Sequence, residues 1–145
     1  MKIAVGSDHA GLPAKKQVVE TLRLAGHEVL DLGTHTEDSV DYPDYALAVA
    51  KHILTGEAEL GVLCCGTGLG MSMTANRHRG VRAALVYDEE TARLAREHND
   101  ANVLALGGRF LDPDRAERIL EIWLQTPFQG GRHDRRIRKI DSPQG

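Results

Sequence analysis

Short apolar runs, each stopped by a glycine or a polar cluster, set the rhythm of this chain. Ile3-Ala4-Val5 ends at Gly6, Glu28-Val29-Leu30-Asp31-Leu32 alternates up to Gly33, and Leu60 to Cys64 runs apolar into Gly66. Val81 to Val86 and Val103 to Leu106 bring the strand-like segments to five. Between them lie stretches with helical spacing. Leu12 to Leu24 has Pro13 at its start and Gly26 past its end, and Tyr45 to Leu54 stops at Gly56. Further helices are expected from about Met71, over Glu89 to His98, from Asp112-Pro113 to about Leu124, and over the basic stretch Arg132 to Lys139. Strands alternating with helices predict an α/β fold, a three-layer sandwich with a five-stranded parallel sheet of Rossmann-like or flavodoxin-like type. No repeat, low-complexity segment or linker divides it, so residues 1–145 are expected to form a single domain.

In such sheets ligands sit beyond the C-terminal ends of the strands. That rule gathers Asp8 and His9 after the first strand, Cys65 to Gly70 after the third, and Gly107-Gly108-Arg109 after the fifth. The run Cys65-Gly66-Thr67-Gly68-Leu69-Gly70 carries the most chemistry. A glycine turn entering a helix stacks free backbone N–H groups where the helix dipole favours negative charge. A cysteine directly before those amides is expected to have its thiolate stabilised. Free cysteines commonly do no more than pack, and Cys64 is expected to do so. Alternation sends Cys65 to the other side, toward the crevice, where packing and catalysis both remain open readings. His98 and Asn99 end a helix that leads into the fifth strand, so the rule places them at the opposite edge. On their own they read equally well as a helix cap.

Composition narrows the field. A net charge of −3 and only 4% aromatic residues argue against nucleic-acid binding. No apolar stretch approaches membrane-spanning length, and two adjacent cysteines cannot build a disulfide framework, so the cytoplasm is the expected location. The histidines show no metal-ligand spacing, and neither a metal nor a cofactor is expected. Gly6-Ser7-Asp8-His9-Ala10-Gly11 has the glycine spacing of a phosphate-binding P-loop, yet Leu12 and Pro13 stand where Lys and Ser/Thr belong. Gly66-Thr67-Gly68 is followed by Met71 rather than the glycine of a dinucleotide fingerprint. Arg132 and Arg136 lie four apart on one helix face. Such a run is commonly a solvated surface, but paired guanidinium groups also grip a phosphate.

Taken together and in order, several segments resemble the type B ribose-5-phosphate isomerases, a family that also includes allose-6-phosphate isomerase activity and the galactose-6-phosphate isomerase subunits. They are Gly6 to Gly11, Asp41-Tyr42-Pro43, Cys65 to Gly70, Arg96-Glu97-His98-Asn99-Asp100 and Gly130-Gly131-Arg132-His133, covering nearly the whole chain. The resemblance implies an aldose–ketose isomerase of the pentose phosphate pathway, with Cys65 as the base that forms an enediolate and His98 assisting ring opening. It further implies substrate contacts from Asp8, His9, Tyr42, Gly66, Thr67, Gly68, Leu69, Gly70, Asn99, Arg109, Arg132 and Arg136. Family members are dimers or tetramers with sites shared between subunits, which accounts for His98 at the wrong edge. Arg109, Arg132 and Arg136 are then expected to converge on the phosphate, at least one from a neighbouring subunit. A hexose-6-phosphate isomerase is the alternative within the same chemistry. A non-catalytic, anion-binding flavodoxin-like module is the alternative outside it.

Overall fold

The computed structural model of the chain describes residues 1–142. Five strands, β1 (Lys2–Ser7), β2 (Glu28–Asp31), β3 (Leu60–Cys65), β4 (Ala83–Leu85) and β5 (Val103–Gly107), pair in parallel in the order β2-β1-β3-β5-β4. The helices are α1 (Leu12–Leu24), α2 (Tyr42–Leu54), α3 (Leu69–Ala75), α4 (Glu89–Glu97), α5 (Pro113–Gln125) and α6 (Arg132–Asp141).

The period-two pattern of the strands divides the core into two layers. Ile3, Val5, Val62, Cys64, Leu104 and Leu106 face Val18 and Leu22 of α1, Ala92 and Ala95 of α4, and Ile119, Leu120 and Trp123 of α5. Ala4, Leu63, Cys65, Val103 and Ala105 face Ala46, Val49 and Ala50 of α2 and Met71 and Ala75 of α3. This is the expected three-layer α/β sandwich. Its strand order departs from flavodoxin's, where the fourth strand lies inside the fifth. Here β4 takes the edge. At three residues it is also shorter than the expected Val81 to Val86 segment. The side chain of Asn76 occupies its free side, accepting from Ala83 N–H at 2.7 Å and donating to Ala83 C=O at 2.9 Å. An exposed ladder edge is thereby blunted.

Two helix starts also move. Pro43 falls within the first turn, where its missing N–H costs nothing, so α2 begins at Tyr42 rather than Tyr45. The turn before α3 closes sooner than expected, at Gly68, whose φ of 79° lies in the left-handed region that glycine occupies without strain.

The chain reverses direction across the sheet between β1 and β3, and this is where the crevice forms. Gly11 lets the start of α1 come down onto the end of β3, since a Cβ there would lie 2.0 Å from the Cys64 carbonyl oxygen. Its N–H donates to Asp8 Oδ1 at 2.8 Å, fixing that carboxylate at the strand end. Gly11→Ala must push backbone against backbone, so it is expected to destabilise the fold by about 3 kcal/mol, the upper end of overpacking costs. The midpoint of urea unfolding measures this, and an unchanged midpoint would show that the approach is not required. Beneath the same corner Lys15, 1% exposed, holds Asp31 Oδ1 at 2.7 Å and the Thr34 carbonyl at 2.6 Å.

Candidate active site

A pocket of about 290 Å³ opens at the C-terminal ends of β1, β3 and β5, lined by Asp8, His9, Tyr42, Cys65, Gly66, Thr67, Gly70 and Arg109. Each reaches it for a local reason. Beyond β5, Gly108 N–H donates to Cys65 C=O at 2.8 Å and Arg109 N–H to Gly66 C=O at 3.1 Å. Those bonds lay the Arg109 guanidinium over Gly66, within 3.0 Å of where a Cβ would stand. The Tyr42 ring crosses Gly70, where a Cβ would meet it at 2.4 Å. His9 Nδ1 accepts the Val40 N–H at 3.2 Å, which leaves Nε2 to carry the proton of the neutral ring.

Cys65 is nearly buried at the floor, and its Sγ accepts the Gly68 N–H at 3.0 Å. Thr67 Oγ1 accepts from Leu69 N–H at 3.1 Å, and the Thr67 carbonyl accepts from the Tyr87 hydroxyl. The amides of Gly66, Thr67 and Gly70 make no hydrogen bond among the described residues and remain available to an anionic oxygen. Leu69, the first residue of α3, is half exposed with its side chain away from the pocket lining. The adjacent thiols differ as the alternation implies. Cys64 packs into the opposite layer, where burial first and the neighbouring Cys65 second push it up to about 12. It stays protonated at neutral pH, and of the two thiols Cys65 alone lines the pocket.

The remaining expected site residues form a second cluster. His98 caps α4 and stacks on His133, with ring centroids 4.3 Å apart and planes inclined by 15°. His133 is buried and its Nε2 meets Gln129 Oε1 at 3.0 Å. Burial, followed by His98, Arg132 and Arg136, holds the His133 ring below the usual imidazole range, so it is neutral at pH 7. Arg132, Arg136 and Asn99 are exposed beside this stack. Arg82, at the N-terminal end of β4, donates to the Asn99 and Asp100 carbonyls and pairs with Asp141 at 2.8 Å, tying α6 to the same place. The cluster therefore lies at the N-terminal edge of the sheet. The length of β5, on the order of 13 Å, separates that edge from Cys65 within one chain. His133 and Tyr87 were not among the expected site residues. His133 carried a signal in Gly130-Gly131-Arg132-His133, whereas nothing local marks Tyr87.

No helix among the described residues is long and apolar enough to cross a membrane, and no group of three or more His, Cys, Asp or Glu side chains among them could hold a metal ion. Sheet and pocket together define a small α/β protein that presents one thiol, a set of free amides and a guanidinium to a small anionic molecule. Residues 3–140 match the family model described as Ribose/Galactose Isomerase, and the chain belongs to that family. It is 43% identical over 139 residues to ribose-5-phosphate isomerase B of Escherichia coli K12, an alignment covering 96% of this chain and 93% of that protein. The crystal structure of a ribose 5-phosphate isomerase from Thermotoga maritima matches with a TM-score of 0.95 at 56% identity, over 97% of each chain. Ribose-5-phosphate isomerase B from Mycoplasma genitalium, solved with bound ribulose-5-phosphate, matches with a TM-score of 0.93 at 46% identity, over 97% of this chain and 93% of that one.

Proposed function

We propose that the chain acts as a single-domain, cytoplasmic aldose–ketose isomerase that interconverts ribose 5-phosphate and ribulose 5-phosphate. One observation carries this reading: a single thiol faces a pocket whose other wall is free backbone amide. Moving a carbonyl along a sugar requires a base at the carbon beside it and donors for the oxygen that becomes negative. The Cys65 thiolate takes the proton from C2 of the open-chain aldose, the enediolate forms, and the proton returns at C1. The hydroxyl proton on O2 passes to O1, so the exchange balances without an outside oxidant or reductant. The amides of Gly66, Thr67 and Gly70 receive the oxyanion, where one such donor is worth roughly 3 kcal/mol. Asp8 and His9 hold sugar hydroxyls, and Arg109 contributes to the phosphate site.

The second cluster finds its place if two copies associate. His98, with Asn99, Arg132 and Arg136, then enters the Cys65 pocket of a neighbouring subunit, opens the furanose ring and completes the phosphate site. Exposed apolar side chains on α2 and α3, Tyr42, Leu69 and Met73, support such an association. The protein incubated with ribose 5-phosphate is expected to accumulate ribulose 5-phosphate, and allose 6-phosphate and galactose 6-phosphate to turn over far more slowly. Preferential turnover of a hexose phosphate would move the assignment to that substrate. Binding without turnover of any of the three would reduce the site to an anion-binding one.

A further inference from the structure

Tyr87 lies between β4 and α4, outside every motif that carries the family resemblance, and its hydroxyl donates to the Thr67 carbonyl. That carbonyl and the Gly68 N–H belong to the same peptide group, and the Gly68 N–H donates to Cys65 Sγ at 3.0 Å. A peptide is planar, so neither end turns without the other. Pinning the carbonyl therefore aims the N–H. A hydrogen bond accepted at the carbonyl also polarises the amide and strengthens what its N–H donates.

The surroundings are shaped for this contact. A Cβ at Gly107 would stand 2.0 Å from the Tyr87 hydroxyl and 2.6 Å from the Thr67 carbonyl oxygen, so only glycine admits the phenol at this spot. The Tyr87 ring meets Phe110 edge-on, with centroids 6.5 Å apart and planes at 61°. Burial, and after it the neighbouring Cys65, raise the Tyr87 hydroxyl above its ordinary range, which keeps it a protonated donor.

We propose that Tyr87 is a positioning residue for the isomerisation, holding the Thr67–Gly68 peptide so that its N–H stabilises the Cys65 thiolate. This rests on the reading of Cys65 as the base. The groups that face the thiol are Asp8 from the end of β1, His9 from the loop after it, Tyr42 from α2, Arg109 beyond β5 and Tyr87 itself, with Cys64 adjacent in the chain. All but the Tyr87 hydroxyl are unchanged in Tyr87→Phe, which also keeps the ring.

Two measurements on the intact protein test the proposal. Carbamidomethylation of Cys65 by iodoacetamide, followed by mass spectrometry across a pH series without substrate, reads the thiol directly. Cys64, pushed up to about 12, does not contribute in this range. Turnover of ribose 5-phosphate over the same series reads the base in action. In Tyr87→Phe the alkylation limb and the acid limb of kcat are expected to move together to higher pH, by about one unit. At neutral pH kcat is expected to fall roughly tenfold while KM changes little. A loss of kcat with neither limb displaced would overturn the proposal, as would a variant indistinguishable from wild type. Absence of turnover in the wild-type protein would count against the isomerase reading alone, since the alkylation limb still reports whether Tyr87 sets the thiol.

Discussion

Cys65→Ala is expected to lose turnover of ribose 5-phosphate by roughly 10²–10⁴-fold, the usual contribution of a positioned base. Calorimetric titration should show sugar-phosphate affinity nearly unchanged, because in the proposed mechanism the base acts on a proton that moves only in the transition state. Pocket walls support that separation, since Asp8, His9 and Arg109 reach the site from other strand ends. Cys64→Ala is the matching control. Its thiol is fully buried in the opposite layer, so its removal leaves a small void worth about 1 kcal/mol of stability and leaves kcat intact. An inactive Cys64→Ala beside an active Cys65→Ala would reverse the assignment of the base.

Mixing two dead proteins is expected to restore activity when each carries its lesion in a different cluster. Cys65→Ala damages the pocket at the C-terminal edge of the sheet, and His98→Asn damages the stack at the other edge. In a symmetric dimer with freely exchanging subunits, half the molecules are mixed and each has one intact site of two, giving about a quarter of wild-type activity. Cys65→Ala mixed with Arg109→Ala should recover nothing, because both lesions fall in the same pocket. Equal recovery from both mixtures, or recovery from neither despite proven exchange, would refute a site assembled from these two clusters.

Much of this is legible in the amino-acid sequence alone. Cys64 and Cys65 point to opposite layers because a strand alternates, and a period of two is visible in any sequence. The strand-end rule located Asp8, Cys65 and Arg109 together and set His98 apart, which is how they lie. Strand order was not legible. Interchanging β4 and β5 alters no local pattern, since both are short, apolar and followed by a helix. Tyr42 lies before the expected start of its helix at Tyr45, and it is Pro43 in the first turn that carries the start back to it. Tyr87 was invisible for a different reason. Its partner, Thr67, is twenty residues away, and the vacancy that admits it is a missing side chain at Gly107 on a third segment. Contacts made across three separated segments leave no periodicity to read.

The single tryptophan bears on how this protein can be watched. Trp123 is fully enclosed on the α5 side of the sheet, with the Arg96 guanidinium 5.6 Å from its ring centroid and no hydrogen-bond partner for its indole N–H among the described residues. The Cys65 pocket lies across the sheet from it. Tryptophan fluorescence therefore originates from a fully buried environment that only loss of the core opens to solvent. Emission follows unfolding of that layer cleanly and is silent about what enters the pocket. Ligand titrations on this molecule need an observable other than tryptophan emission.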